Sequence, residues 1–182
     1  VSSRIIDQEN DDGWSALMQA SKNGHVECVR LLLDNNVCYA YIDQEDNFGM
    51  TALMHASKNG HDKCVHLLLH TPFDWPEANH NLPDYRGMTA LMYASHHGHD
   101  KCVRLILDKK LDDDRYLRDK KEADVDSKTD VDEAEEEDER EVWDADYALN
   151  HASQNGHDKC VRMLLDAGAE GDAEEDADSA LR

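Results

Sequence analysis

Positive charge is scarce in this chain: 19 lysines and arginines stand against 41 aspartates and glutamates, for a net charge of −22. Such an excess repels the phosphates of nucleic acid and anionic membrane surfaces, so neither is expected as a partner. A protein partner, a basic one included, is left. No apolar run approaches the roughly 18 residues of a membrane span, and the N-terminus has no signal-peptide pattern. Val1 is not a methionine, which leaves open a targeting segment on a longer parent chain. Proline is also scarce: Pro72, Pro76 and Pro83 are the whole set, all between His70 and Arg86, where they fix φ and exclude helix. Five cysteines, an odd number, suit a reducing compartment. Chemistry is missing as well. No serine or cysteine nucleophile stands with an oriented base, and no glycine loop suits a phosphate, so the reading is no enzyme, no catalytic residue, no cofactor and no metal.

What the chain does have is repetition. The stretch GMTALMHASKNGHDKCVHLLL, Gly49 to Leu69, returns as GWSALMQASKNGHVECVRLLL from Gly13, GMTALMYASHHGHDKCVRLIL from Gly87 and ADYALNHASQNGHDKCVRMLL from Ala145. The equivalent leucines Leu17, Leu53, Leu91 and Leu149 stand 36, 38 and 58 residues apart. Each copy reads as two short helices. Ser15, Thr51 or Thr89 caps the first by accepting a hydrogen bond from an orphan amide, and Gly24, Gly60, Gly98 or Gly156 closes it in the left-handed conformation. Ala52, Leu53 and Ala56 share one face, where small alanines admit a neighbouring backbone. Cys64, Val65, Leu67, Leu68 and Leu69 of the second helix cover an arc too broad for a lone surface helix but right for one packed between neighbours. A period in the thirties made of helix pairs means a solenoid.

The pattern Gly-x-Thr-Ala-Leu-Met-x-Ala-Ser-x-x-Gly-His-x-x-Cys-Val-x-Leu-Leu-Leu closely resembles the ankyrin repeat, over about 135 of the 182 residues. The family's Thr-Pro-Leu-His-x-Ala is altered here. Ala16, Ala52, Ala90 and Ala148 replace its proline, and Met18, Met54, Met92 and Asn150 its histidine, which removes the hydrogen bonds between Thr and His. The resemblance implies an all-α helical solenoid, with helix-turn-helix pairs joined by β-hairpin-like fingers. It implies an intracellular, cytoplasmic scaffold, with the nucleus also open, that is monomeric and binds another protein through a concave groove of finger tips and first helices. By that pattern the contact residues are Trp14, Gln19, Lys22 and Asn23 in unit one, Phe48, Met50, His55, Lys58 and Asn59 in unit two, and Tyr85, Arg86, Met88, Tyr93, His96 and His97 in unit three. Aromatic residues and arginine are what binding surfaces favour. For Trp14 an alternative is that it shields the open end of the stack. His96 and His97 could make a pH-dependent contact. Two rival roles are a passive spacer or targeting arm of a larger protein, and electrostatic capture of a basic protein by an acidic insertion.

The expected divisions are 1–9, the end of a preceding repeat or an extension; units at 10–45, 46–83 and 84–108; an insertion at 109–141; a degenerate fourth unit at 142–170; and an acidic tail at 171–182. Ile6-Asp7-Gln8-Glu9 repeats as Ile42-Asp43-Gln44-Glu45, at the same distance from Gly13 and Gly49, so the chain begins inside a repeat, which suggests either a fragment of a longer array or a first repeat whose outer side is covered by residues 1–9. The insertion carries 16 acids against 8 bases from Lys109 to Val142 and reads as largely disordered, with some helix from Leu107 through Leu117. Its Asp124, Asp126, Asp130, Asp132 and Glu135 mimic calcium-loop spacing, but Lys128 takes a ligand position and Thr129 the place of the turn glycine. Ala145 and Tyr147 replace the turn glycine and the capping Thr of unit four, so its finger and first helix should be less regular.

The four His-x-x-Cys pairs, His25/Cys28, His61/Cys64, His99/Cys102 and His157/Cys160, look like a metal comb. Stacked helices lie about 8–10 Å apart, whereas ligands of one zinc sit within about 4 Å of each other. The cysteines are therefore expected as small core residues, and the histidines as exposed starts of second helices without a unique partner.

Overall fold

The computed structural model describes residues 13–34, 42–71, 77–124 and 139–169. Among these described residues eight helices follow one another: α1 (Ala16–Lys22), α2 (Val26–Asp34), α3 (Ala52–Lys58), α4 (Asp62–Leu69), α5 (Ala90–His96), α6 (Asp100–Asp124), α7 (Glu139–Gln154) and α8 (Asp158–Asp166). No strand occurs among the described residues. The odd-numbered helices pack side by side in one layer, the even-numbered helices in a second, and each odd helix packs on the even helix after it. This is a helical solenoid.

The caps form as the residue types dictate. Ser15 Oγ accepts the Met18 amide at 3.3 Å, and Thr51 and Thr89 Oγ1 accept those of Met54 and Met92 at 3.4 Å. Each first helix ends at a glycine of positive φ, for example Gly60 at 72°. One core runs through both layers, with Met18, Leu53, Met54, Leu68, Leu91, Ile106 and Leu164 fully buried. Each such side chain contributes about 1.5–3 kcal/mol of burial. Cys64, Cys102 and Cys160 lie in this core, and burial pushes the Cys102 thiol up to about 12.

Cys28 does not follow them: it is exposed. The difference is positional. Cys64, Cys102 and Cys160 each have a unit before their own, whereas none of the described residues precedes unit one. The histidines also differ from expectation. His25 is exposed, but His61, His99 and His157 are half-buried. Their Nε2 atoms lie 2.9, 3.2 and 3.1 Å from the carbonyls of Lys22, Lys58 and His96 in the preceding unit. The imidazole rests on the glycine that ends that unit's first helix. A Cβ on Gly24, Gly60 or Gly98 would come within 2.5–2.6 Å of the ring Nδ1. The Gly60-His61 and Gly98-His99 pairs thus serve two joints each, the glycine receiving the next ring and the histidine docking on the previous unit, whereas Gly24 only receives a ring and His157 only docks.

The insertion begins as helix. Where the sequence suggests helix to Leu117, α6 continues to Asp124. It is clamped at Lys109, whose ammonium pairs with Glu77 and with Asp113 at 3.0 Å. Burial opposes the Lys109 charge, but these two carboxylates raise its pKa on balance. Residues 125–138, which include most of the insertion expected to be disordered and most of the calcium-like spacing, lie outside the described residues, as do residue 170, the tail at 171–182 and residues 1–12.

Among the described residues unit four has no finger. Its first helix, α7, starts at Glu139 and runs through the positions where the other units turn. The reason is local. Gly49 and Gly87 turn at a φ of 79°, a conformation that costs a residue with a Cβ about 1–2 kcal/mol. Ala145 prefers helix, so the backbone continues. Asp144 on this added stretch accepts a hydrogen bond from the Thr89 hydroxyl, tying α7 to the cap of α5.

Candidate partner-binding surface

Among the described residues two fingers lie beside the odd-numbered layer, and each is built on one aspartate. Asp46 Oδ1 accepts the amides of Phe48 and Met50 at 2.8 and 2.9 Å. The backbone closes across the turn through Asp46 N to Met50 O at 3.0 Å and Gly49 N to Asp46 O at 2.9 Å. The finger of unit three repeats this at Asp84, with Arg86 and Met88 amides at 2.8 and 2.9 Å. A short side-chain acceptor that organises its own turn is the ordinary role of Asp in such a place.

The second carboxylate oxygen of each aspartate is held by the first helix. His55 Nε2 lies 2.9 Å from Asp46 Oδ2, and the Tyr93 hydroxyl donates to Asp84 Oδ2 at 2.7 Å. Different side chains at one repeat position perform the same anchoring. Burial lowers the His55 pKa against the opposing pull of Asp46. Burial likewise works to raise the pKa of Asp84, but the bonds from Tyr93 and the Met88 and Arg86 amides lower it on balance. Burial and the bond to Asp84 raise the Tyr93 phenol.

These anchors correct part of the expected contact set. His55 and Tyr93 are only 4% and 3% exposed, because they must reach under the finger to the aspartate. Met50 is 5% exposed, since the turn directs its side chain back into the core. They support the surface from below. Met88 is half-buried against the same core. Trp14 is half-buried: its ring lies 4.2 Å from that of His55 in unit two, with Lys22 Nζ 4.4 Å above it.

The remaining expected residues reach the surface in three groups. Phe48 and Tyr85 are 67% and 73% exposed at adjacent tips, where Tyr85 N donates to Phe48 O at 3.2 Å. Arg86, also exposed, donates to the Tyr93 hydroxyl at 2.6 Å, and Lys58 Nζ lies 5.1 Å over the Tyr93 ring. Along the ends of the first helices lie Gln19, Asn23, Asn59, His96 and His97. Asn23 and Asn59 return their amides to the carbonyls of Gln19 and His55 at 2.8 Å, and His97 Nδ1 lies 3.0 Å from Tyr93 O. Their side chains finish helices as well as facing outward. His96 sits among His97 and His151, with ring centroids at 4.9 and 5.3 Å, and beside Asn155. Among the described residues no group of three or more His, Cys, Asp or Glu is placed to hold a metal ion.

Sequence reasoning overlooked Asp46 and Asp84, although each stands three residues before its turn glycine. That offset was the available signal. Asp144 had none, since its partner Thr89 is 55 residues away.

Among the described residues no helix is long and apolar enough to cross a membrane. No curated protein matches the chain. A family model described as ankyrin repeats (3 copies) matches it over residues 3–79, 41–129 and 72–175. With the two-layered helical stack and its turn-forming glycines, this places the chain in the ankyrin repeat family.

Proposed function

We propose that this chain is a non-catalytic scaffold that binds a protein partner through its finger tips and the exposed ends of its first helices. Ankyrin repeats generally mediate protein–protein interactions and are typically non-catalytic. One observation supports assigning the contact to this surface: Phe48 and Tyr85 are large, exposed and adjacent, yet stand on turns fixed by buried aspartates. Aromatic side chains on a rigid base lose little conformational freedom on binding and are the usual energetic anchors of interfaces. Arg86 beside them adds a directional donor. The contact set becomes Phe48, Tyr85 and Arg86 at the tips, with Gln19, Lys22, Asn23, Lys58, Asn59, His96 and His97 along the helix ends.

The test is capture from a cell extract on the intact chain and on a Phe48→Ser, Tyr85→Ser variant of unchanged helicity. A protein retained only by the intact chain, at both low and high salt, supports the reading. An unchanged capture list contradicts it. Loss of all capture at high salt with either chain points instead to the acidic insertion, because capture by an exposed charge run weakens steeply with ionic strength.

A further inference from the structure

Charge in this chain is sorted by layer. Residues 13–25, 49–61, 87–99 and 147–157, which carry α1, α3, α5 and the last part of α7 with their closing turns, hold none of the 41 acids but eight of the 11 histidines. In the even-numbered layer cations meet carboxylates: Lys101 reaches Asp62 at 3.9 Å, Lys159 reaches Asp100 at 3.7 Å, and Arg30 reaches Glu27 at 3.6 Å. In the odd-numbered layer, among the described residues, Lys22 and Lys58 have no carboxylate partner and lie over the rings of Trp14 and Tyr93. The finger carboxylates Asp46 and Asp84 are buried, with their oxygens turned to finger amides, His55 and Tyr93.

These cations form a row. Lys22, Lys58 and His96 occupy one repeat position on α1, α3 and α5, which pack side by side with α7. His97 follows at the end of α5, and His151 on α7 continues the row, its ring 5.3 Å from that of His96. At about 8–10 Å between neighbouring helices, four helices span about 25–30 Å, the length of about eight or nine residues of extended chain. Arg86 and Tyr93 join the row to the finger tips, because Arg86 donates to the Tyr93 hydroxyl and Lys58 lies over the same ring. Burial, with the positive charges of His97, His151, His157 and Lys58, lowers the pKa of His96. Burial also lowers His99, stacked on His97 at 6.0 Å, with His97, His61 and His157 adding to it against the bond to the Lys58 carbonyl. The last acid of α7, Asp146, stands five residues before His151, more than a helical turn away.

We propose that this row docks a carboxylate-rich segment of a partner protein, laid extended across the first-helix ends with its acids against Lys22, Lys58, His96, His97 and His151. The inference rests on the finger-tip reading for the place of contact and adds the partner's chemistry. Cations spread along the stack meet carboxylates carried one by one on an extended chain. A doubly charged phosphate is held best by donors that converge on one point, such as the fork of an arginine. The net charge of −22 repels a long polyanion whose charge continues past the row, so the acidic segment is short. Complementary charge decides which partner is accepted, and the uncharged Phe48 and Tyr85 hold it, so salt weakens the contact only in part. Protonation of the histidines adds positive charge opposite acids that are still ionised, and binding therefore strengthens as pH falls toward 6.

The test selects displayed random 12-residue peptides on the full chain at pH 6.5. Each selected peptide is then titrated against three variants of unchanged helicity: a finger variant (Phe48→Ser, Tyr85→Ser), a row variant (Lys22→Gln, Lys58→Gln, His96→Gln, His97→Gln) and a control in the other layer (Lys101→Gln, Lys159→Gln). The expected peptides carry an excess of Asp and Glu, lose at least tenfold in affinity with the finger and row variants, and lose less than twofold with the control. They should bind several-fold more tightly at pH 6 than at pH 7.5, and His96→Gln with His97→Gln should remove that difference. Peptides without an acidic excess that are lost with the finger variant alone overturn the inference and leave the finger-tip reading standing. Acidic peptides lost with the row variant alone keep the row as the site and overturn the finger tips as anchors. Tighter binding when one phosphoserine replaces the acids of a selected peptide overturns the carboxylate assignment. Acidic peptides obtained only after deletion of residues 125–138 assign the row to the chain's own insertion, and peptides held by neither surface, or none at all, likewise overturn the inference.

Discussion

Tyr93 donates its hydroxyl to Asp84 Oδ2 at 2.7 Å, and the same carboxylate organises the finger that carries Tyr85 and Arg86. The surface and the core are thus joined through one buried oxygen. Tyr93→Phe removes that bond while keeping the ring, and hydrogen bonds to charged groups are worth about 1.5–3 kcal/mol. The expected loss in a urea titration lies in that range. Amide exchange at Arg86 and Met88 should accelerate more than at Phe48 and Met50, since the finger of unit two has its own anchor.

That other anchor makes stability depend on pH. Burial depresses the pKa of His55, and those of His70, His96 and His99 are also lowered, chiefly by desolvation. A group whose folded pKa lies below its unfolded value, here 6.5, binds more protons unfolded than folded. Stability therefore falls as pH drops below about 6.5 and levels off below the folded value. Urea midpoints measured from pH 7.5 to 5 should decline, and His55→Gln should flatten the decline. A midpoint that rises over this range would contradict the desolvated state of these rings.

The stacked Gly-His joints supply their own control. His61→Ala and His99→Ala each remove a bond to a carbonyl of the preceding unit and should cost about 0.5–1.5 kcal/mol. His25→Ala, at an exposed ring outside any described joint, should stay within about 0.5 kcal/mol. For the glycines, a Cβ at Gly60 meets the His99 ring at 2.6 Å as well as an unfavourable φ, whereas at Gly156 nothing lies within 4 Å. Gly60→Ala is expected to cost more than Gly156→Ala.

Opposite outcomes are expected at two aligned positions. Gly87 turns a finger at a φ of 79°, and Ala145 continues a helix at the equivalent place. Gly87→Ala should destabilise by about 1–2 kcal/mol through its left-handed backbone. Ala145→Gly should destabilise by about 1 kcal/mol through the helix interior. If Ala145→Gly stabilised the chain, a finger rather than a helix would be the preferred form of unit four.

The contrast at these positions shows how far the sequence could be read. Four copies of one pattern, with Thr51 and Thr89 as caps and Gly60 and Gly98 as stops, were enough for the solenoid, because each is a local signal repeated in phase. What repetition concealed was the joint between copies. His61 looks partnerless within its own unit, since its acceptor, the Lys22 carbonyl, lies 39 residues back. The anchoring of Asp46 by His55 and of Asp84 by Tyr93 was missed because unlike side chains fill one position. Averaging over copies treats that difference as noise. Surface residues were inferred from a family pattern that assumes each position faces outward, and the buried Met50, His55 and Tyr93 show where a turn or an anchor reverses that direction.

The most direct test of the finger-tip account is site-specific photocrosslinking in cells, with the reactive side chain placed at position 48, at position 85, or at exposed Lys63 in the other helix layer. The account predicts that one and the same protein is crosslinked from 48 and from 85 and not from 63. A partner trapped from 63 but from neither finger tip would contradict it.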